Sequence, residues 1–138
     1  MRRLADELGV GERLELPGQL SRSALRDLYA RSHAFVLPSE RESFGIAALE
    51  ARTAGLPVVA MLASGVRDFV RQGVDGLLAR DEAELSRHIS RLALDAPFRD
   101  YVRHRNASTT PPYDWSDVRA MHLELYAMAG ARRSDVGG

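Results

Sequence analysis

Two carboxylates, Glu42 and Glu50, stand on either side of Ser43-Phe44-Gly45-Ile46 in the stretch PSERESFGIAALEARTAGLPVV, which runs from Pro38 to Val59. The residue pattern predicts a helix opening at Phe44 with Ser43 as its N-cap. The amides of Phe44, Gly45 and Ile46 then lack partners within the helix, and the helix dipole adds partial positive charge. A phosphate is the natural guest of such a place, and Gly45 removes the side chain where a diphosphate would approach the backbone. That glycine costs about 1 kcal/mol of helix propensity relative to alanine.

At roughly 100° per residue, Glu50 falls between Ile46 and Ala54 on one side of the helix, while Arg52 points almost oppositely. Glu50 is therefore expected toward the sheet edge rather than on the solvated face. A carboxylate there needs donors, and as an acceptor-only group it suits the neighbouring hydroxyls of a ribose. Two turns of helix, about 11 Å, separate a diphosphate at the helix start from a nucleoside along its flank. Glu42, in the preceding loop, lies on the other side of the phosphate position and suits the hydroxyls of an attached sugar. The same spacing also fits a plainer alternative, two solvated acids of which one sits favourably near a helix N-terminus.

The elements that must position these residues alternate between short apolar strands and helices. A helix is predicted over residues 2–8, stopped by Gly9 and Gly11, then a strand at Leu14-Glu15-Leu16 ended by Pro17-Gly18. Ser21 caps a helix in which Leu25, Leu28 and Tyr29 share a face. Ala34-Phe35-Val36-Leu37 reads as a strand buried on both faces, closed by Pro38-Ser39. The Phe44 helix ends near Gly55, Pro57-Val58-Val59-Ala60 is the next buried strand, and a short helix spans 68–72. The turn Gly73-Val74-Asp75-Gly76 leads into a strand at Leu77-Leu78-Ala79.

Asp81 with Glu84 makes a capping box for a helix to about Leu94, and Pro97 opens another. Residues 106–114 read as a polar link, residues 116–128 as a packing helix, and residues 129–138 as a disordered tail. The alternation implies an α/β fold, a Rossmann-like parallel sheet with helices on both faces. Ligands of such sheets bind outside the carboxyl ends of the strands, where Ser39 and Glu42 stand after the Phe35 strand.

Composition removes several function classes. The chain has 138 residues, a formal net charge of zero and no basic stripe, so nucleic acid is not an expected partner. It contains no lysine and no cysteine, which excludes lysine chemistry, disulfides and thiolate metal sites within these residues. Metal binding would fall to His33, His88, His104 and His122, and no pair has convincing ligand spacing, so no metal cofactor is expected. The start, MRRLADELGVGERLEL, has no apolar core of a signal or membrane segment, and a cytoplasmic setting is expected, with the inner membrane face as an alternative place. Asn106-Ala107-Ser108 fits a glycosylation sequon but reads as an ordinary loop.

The string LYARSHAFVLPSERESFGIAALEARTAGLPVVA resembles the signature of the family 4 glycosyltransferases. These are nucleotide-sugar enzymes of the two-Rossmann-domain (GT-B) type that retain anomeric configuration. The matched residues are Pro38-Ser39, Glu42-Ser43-Phe44-Gly45, Glu50-Ala51, Gly55 and Pro57-Val58-Val59-Ala60. The resemblance covers roughly Leu4 to Met128, including Gly73 to Leu78 as a G-x-x-G-L-L turn and Asp114-Trp115-Ser116 as the start of a last helix. It implies that Glu50 binds the ribose hydroxyls, that Glu42 contacts the donor sugar, and that the amides of Phe44, Gly45 and Ile46 hold the diphosphate.

The match also has departures. Ser64-Gly65-Val66-Arg67-Asp68 replaces the family's Gly-Gly-x-x-Glu loop, keeping Gly65 and a shorter acid. Gly65 is carried over as a donor-binding residue, with a turn glycine as the plainer alternative. The resemblance implies that residues 1–128 are a donor-binding domain lacking its first strand and helix, with their arginine and lysine, and that the acceptor-binding domain belongs elsewhere. The expected partners are a nucleoside diphosphate sugar, an acceptor glycan, lipid or small molecule, and a separate acceptor-domain chain. The expected function is a glycosyltransferase of hexosyl type. The alternatives are a non-catalytic nucleotide-sugar module or inactive fragment and, less favoured, a nucleotide-sugar epimerase.

Overall fold

Val58–Met61 is apolar throughout, with no polar side to offer solvent, and it forms the central strand of a parallel sheet. The computed structural model describes residues 1–113. The predicted helix over 116–128, its Asp114-Trp115-Ser116 start and the tail over 129–138 therefore lie outside the described residues. The chain divides into two compact units, Met1–Ala30 and the remainder from Arg31.

The first unit holds α1 (Arg2–Glu7), a 3-10 turn at Gly11–Arg13 and most of α2 (Arg22–Arg31). Ser21 caps α2 as predicted, its Oγ accepting the Ala24 amide at 3.2 Å. Leu14-Glu15-Leu16 is not a strand of the sheet: Leu14 is extended, but no strand is formed before Pro17. Glu15 and Leu16 are both exposed, so the alternation leaves no apolar face to hold a ladder against the sheet.

In the second unit β1 (Phe35–Leu37), β2 (Val58–Met61) and β3 (Gly76–Ala79) pair in parallel in the order β1-β2-β3, with Val36 opposite Val59 and Val59 opposite Leu77. Side chains of a strand alternate between faces, and two cores result. Val58, Ala60 and Leu78 join Phe44, Ala48 and Leu49 of the α3 side (α3, Ile46–Thr53) together with Val66, Phe69 and Val70. Val59, Met61, Leu77 and Ala79 join Leu85 and Leu92 of α4 (Glu82–Leu94) on the other face. The predicted sheet with helices on both faces is the fold observed. Val36 departs from the predicted double burial: it is 38% exposed, while Phe35 and Leu37 pack toward α3.

Asp81 caps α4 by accepting the Glu84 amide at 2.7 Å. The reciprocal half of the box shifts by one residue, because the Glu84 carboxylate takes the Arg80 amide at 2.8 Å and the Arg80 guanidinium at 2.9 and 3.0 Å. Two further predictions are corrected. The short helix comes earlier, as a 3-10 turn at Gly65–Asp68, because Val66, Phe69 and Val70 all enter the core. Residues 106–108 are not a link but the last turn of α5 (Ala96–Ser108). Asn106 is buried there, donating to the carbonyls of Leu56 and Asp75, each at 2.9 Å. Among the described residues no helix is long and apolar enough to cross a membrane.

Candidate functional site

Leu37 ends β1 and Met61 ends β2, so the loops that follow leave adjacent parallel strands at the same, carboxyl edge. They meet backbone to backbone. The Gly65 amide donates to the Glu42 carbonyl at 2.9 Å, and a Cβ on Gly65 would collide with the Ser43 carbonyl oxygen. Gly45 adopts the left-handed conformation (φ +80°), and a Cβ there would come within 2.6 Å of Val66 Cγ2. Phe44 is buried, its ring 5.6 Å from that of Phe69 and edge-on to that of Tyr113 at 5.3 Å. The two glycines and the phenylalanine thus set how closely the loops approach.

The helix starts later than predicted. Gly45 is the N-cap of α3, and the Leu49 amide makes its first bond to the Gly45 carbonyl at 3.0 Å. Ser43 is exposed and makes no cap. A glycine in the left-handed region turns the chain abruptly into the helix, which excludes Phe44 and Gly45 from its first turn. Glu42, half-buried, folds back over this corner, and its Oε1 accepts the Gly45 amide at 3.2 Å. Of the three amides predicted to face a diphosphate, Gly45's therefore carries a carboxylate of the chain itself.

Glu42, Ser43, Phe44, Gly45 and Gly65 are brought together by the two loops, Ile46 opens α3, and Glu50 lies one turn along it, half-buried. The predicted opposition of Glu50 and Arg52 places Arg52 inside the protein: it is 3% exposed, on the arc with Ala48, Leu49 and Ala51. Its partner is Asp75, fully buried in the turn before β3, at 3.1 Å. Asp75 also takes the Arg71 amide at 3.2 Å and its guanidinium at 2.7 and 3.0 Å, with Arg105 Nε at 3.8 Å. Nε and Nη1 of Arg52 find no hydrogen-bond partner among the described residues. No local pattern pairs residues 23 positions apart; the one signal is that Arg52 stands at helical spacing from Ala48 and Leu49.

Burial pushes the Asp75 carboxyl up, but the hydrogen bonds from Arg71 and Arg52 outweigh it and hold the pKa at about 2. The hydrogen bonds from Arg80, guanidinium first and amide second, hold Glu84 at about 2 as well. Both folded values lie below the ordinary carboxylate range, so the stability these groups contribute is present above that range and is lost as pH falls through it. The urea midpoint is expected to drop between about pH 5 and pH 2, and Asp75→Asn should flatten that drop. Acid titrations of the two proteins at fixed urea check it, and equal acid sensitivity would refute the assignment to Asp75.

His33 and His104 are exposed, and His88 Nε2 stands 3.2 Å from the Leu78 carbonyl. His122 lies outside the described residues. Among the described residues no group of three potential ligands could hold a metal ion. A hollow of about 320 Å³, lined by His33, Val36, Val59, Ile89 and Leu92 among others, opens on the α4 face, and none of the predicted donor-binding residues lines it.

Comparison with known proteins gives the family of the chain. Residues 1–109 match the sequence pattern of the family described as "Glycosyl transferases group 1". The D-inositol 3-phosphate glycosyltransferase of Streptomyces bingchenggensis is 31% identical over 137 residues, covering 96% of this chain and 30% of the relative. That of Frankia alni is 34% identical over 129 residues, covering 92% and 32%. Among solved structures, sucrose-phosphate synthase from Thermosynechococcus elongatus superposes with a TM-score of 0.70 at 27% identity, over 94% of this chain and 33% of that one. Anabaena HepE in complex with UDP and glucose gives 0.68 at 25% identity, over 77% and 29%. The chain thus spans about 30% of the length of the curated relatives it matches. With the family pattern running through both loops and all three strands, the chain belongs to the group 1 glycosyltransferases.

Proposed function

We propose that this chain is the donor-binding part of a retaining, family 4 glycosyltransferase that moves a hexosyl group from a nucleoside diphosphate sugar to an acceptor hydroxyl. The observation that carries this reading is the junction of the β1 and β2 loops, which sets the α3 start between Glu42 and Glu50 at the carboxyl edge of the sheet. The first-turn amides of α3 face the diphosphate and stabilise it as it leaves. Glu50 accepts the ribose hydroxyls, Glu42 orients the sugar, and Ser43, Phe44 and Gly65 shape the loops around them. The bond from the anomeric carbon to the diphosphate oxygen breaks and the bond to the acceptor oxygen forms on the same face. The acceptor's proton passes to the departing diphosphate oxygen on that same face, and no protein nucleophile takes part.

HepE, whose structure holds UDP and glucose, supports UDP as the first nucleotide to try. The acceptor, a glycan, lipid or small molecule, is assigned to a separate acceptor-binding domain, joined or supplied as another chain. That division accords with the 30% share of the relatives' length. The reading uses amides rather than a metal for the leaving charge and places the protein in the cytoplasm. Titration of UDP into the ¹⁵N-labelled chain is the test. The largest amide shifts are expected at Gly45, Ile46 and the first turn of α3, and shifts confined to the hollow beside Leu92 would refute the site.

A further inference from the structure

We infer that Glu42 is a stand-in anion: in the unliganded chain its carboxylate occupies part of the diphosphate site, and the arriving donor must displace it. The inference rests on the donor-site reading above and deepens it. Glu42 Oε1 accepts the Gly45 amide at 3.2 Å, and the side-chain stem is folded over the same glycine, with Cγ 3.6 Å from where a Cβ of Gly45 would be. A second anion cannot use that N–H while the carboxylate holds it, and two anions at this corner repel each other.

The main chain at Glu42 is fixed independently, because its carbonyl accepts the Gly65 amide at 2.9 Å. Displacement therefore requires only rotation of the side chain, about an anchor that stays in place. A carboxylate swung off the Gly45 amide remains beside the phosphate position, where the sugar hydroxyls of the donor lie. One residue thus keeps the amide corner satisfied when the site is empty and turns to the sugar when it is filled. Nucleotide binding is weakened by this arrangement, because a charge must first be moved.

The consequence has an unusual sign: neutralising a residue of the binding site tightens the product nucleotide. Glu42→Gln and Glu42→Ala should bind UDP about fivefold more tightly or better, the worth of one like charge removed at about 4 Å even in water. Uridine, which carries no phosphate, should bind all three proteins equally, and the gain for UDP should shrink at high salt. Calorimetric titrations of the full chain with UDP and with uridine decide it, with circular dichroism confirming that both variants are folded. Tighter UDP binding with unchanged uridine binding supports the stand-in role. If the wild-type chain binds UDP and neither variant binds it more tightly, the stand-in role is overturned and the donor site stands. If none of the three binds UDP, the donor-site reading fails and takes this inference with it.

Discussion

Asp75→Ala is expected to lower folding stability by about 3–5 kcal/mol, because it leaves the Arg52 guanidinium buried without its counter-ion. Arg52 is 3% exposed, and two of its nitrogens already lack partners among the described residues, so nothing nearby replaces the carboxylate. Arg71 lies toward solvent, with 60% of its side chain exposed, and simply returns to water. The loss comes from the uncompensated ion rather than from the attraction itself. Replacing both partners, Arg52→Met with Asp75→Asn, should therefore recover most of it. Urea unfolding of the single and double variants measures both effects, and a double variant as unstable as Asp75→Ala would refute the explanation.

Gly65→Ala is expected to have the second largest effect, and to change function as well as stability. The new methyl collides with the Ser43 carbonyl, a backbone atom that cannot rotate away, so one of the two loops must shift. Overpacking of this kind costs about 1–3 kcal/mol, and here relief comes by moving the segment from Glu42 to Gly45. The variant should remain folded under native conditions yet lose UDP affinity by about tenfold or more, the size of effect expected when a binding group is displaced. Calorimetry on a preparation shown to be folded tests it, and unchanged affinity would mean that the loop junction does not shape the donor site.

The sequence shows the sheet more plainly than the site, for reasons visible in particular residues. Val58–Met61 could only be an interior strand, and Asp81 with Glu84 marked the start of α4, because each signal is contained within a few neighbours. The three residues Leu14-Glu15-Leu16 alternate like a strand, but alternation says nothing of whether a ladder forms. Glu42 and Glu50 were legible as a pair flanking a helix start; the fold of Glu42 back onto Gly45 was not, because it depends on Gly45 taking the left-handed conformation. The burial of Arg52 has no local signal either, because the turn before β3 delivers Asp75 to the side of α3 away from Glu50. Asn106 was hidden for the same reason, its partners Leu56 and Asp75 being 50 and 31 residues away.

In the proposed site the start of α3 takes a nucleoside diphosphate, with Glu50 holding the ribose. Calorimetric titration of UDP into the wild-type chain and into Glu50→Gln tests it most directly. Binding to the wild type and a loss of about 10- to 100-fold in the variant are expected, the range for a hydrogen bond to a charged group, with circular dichroism confirming that both proteins are folded. Equal affinity for UDP in the two folded proteins would contradict it.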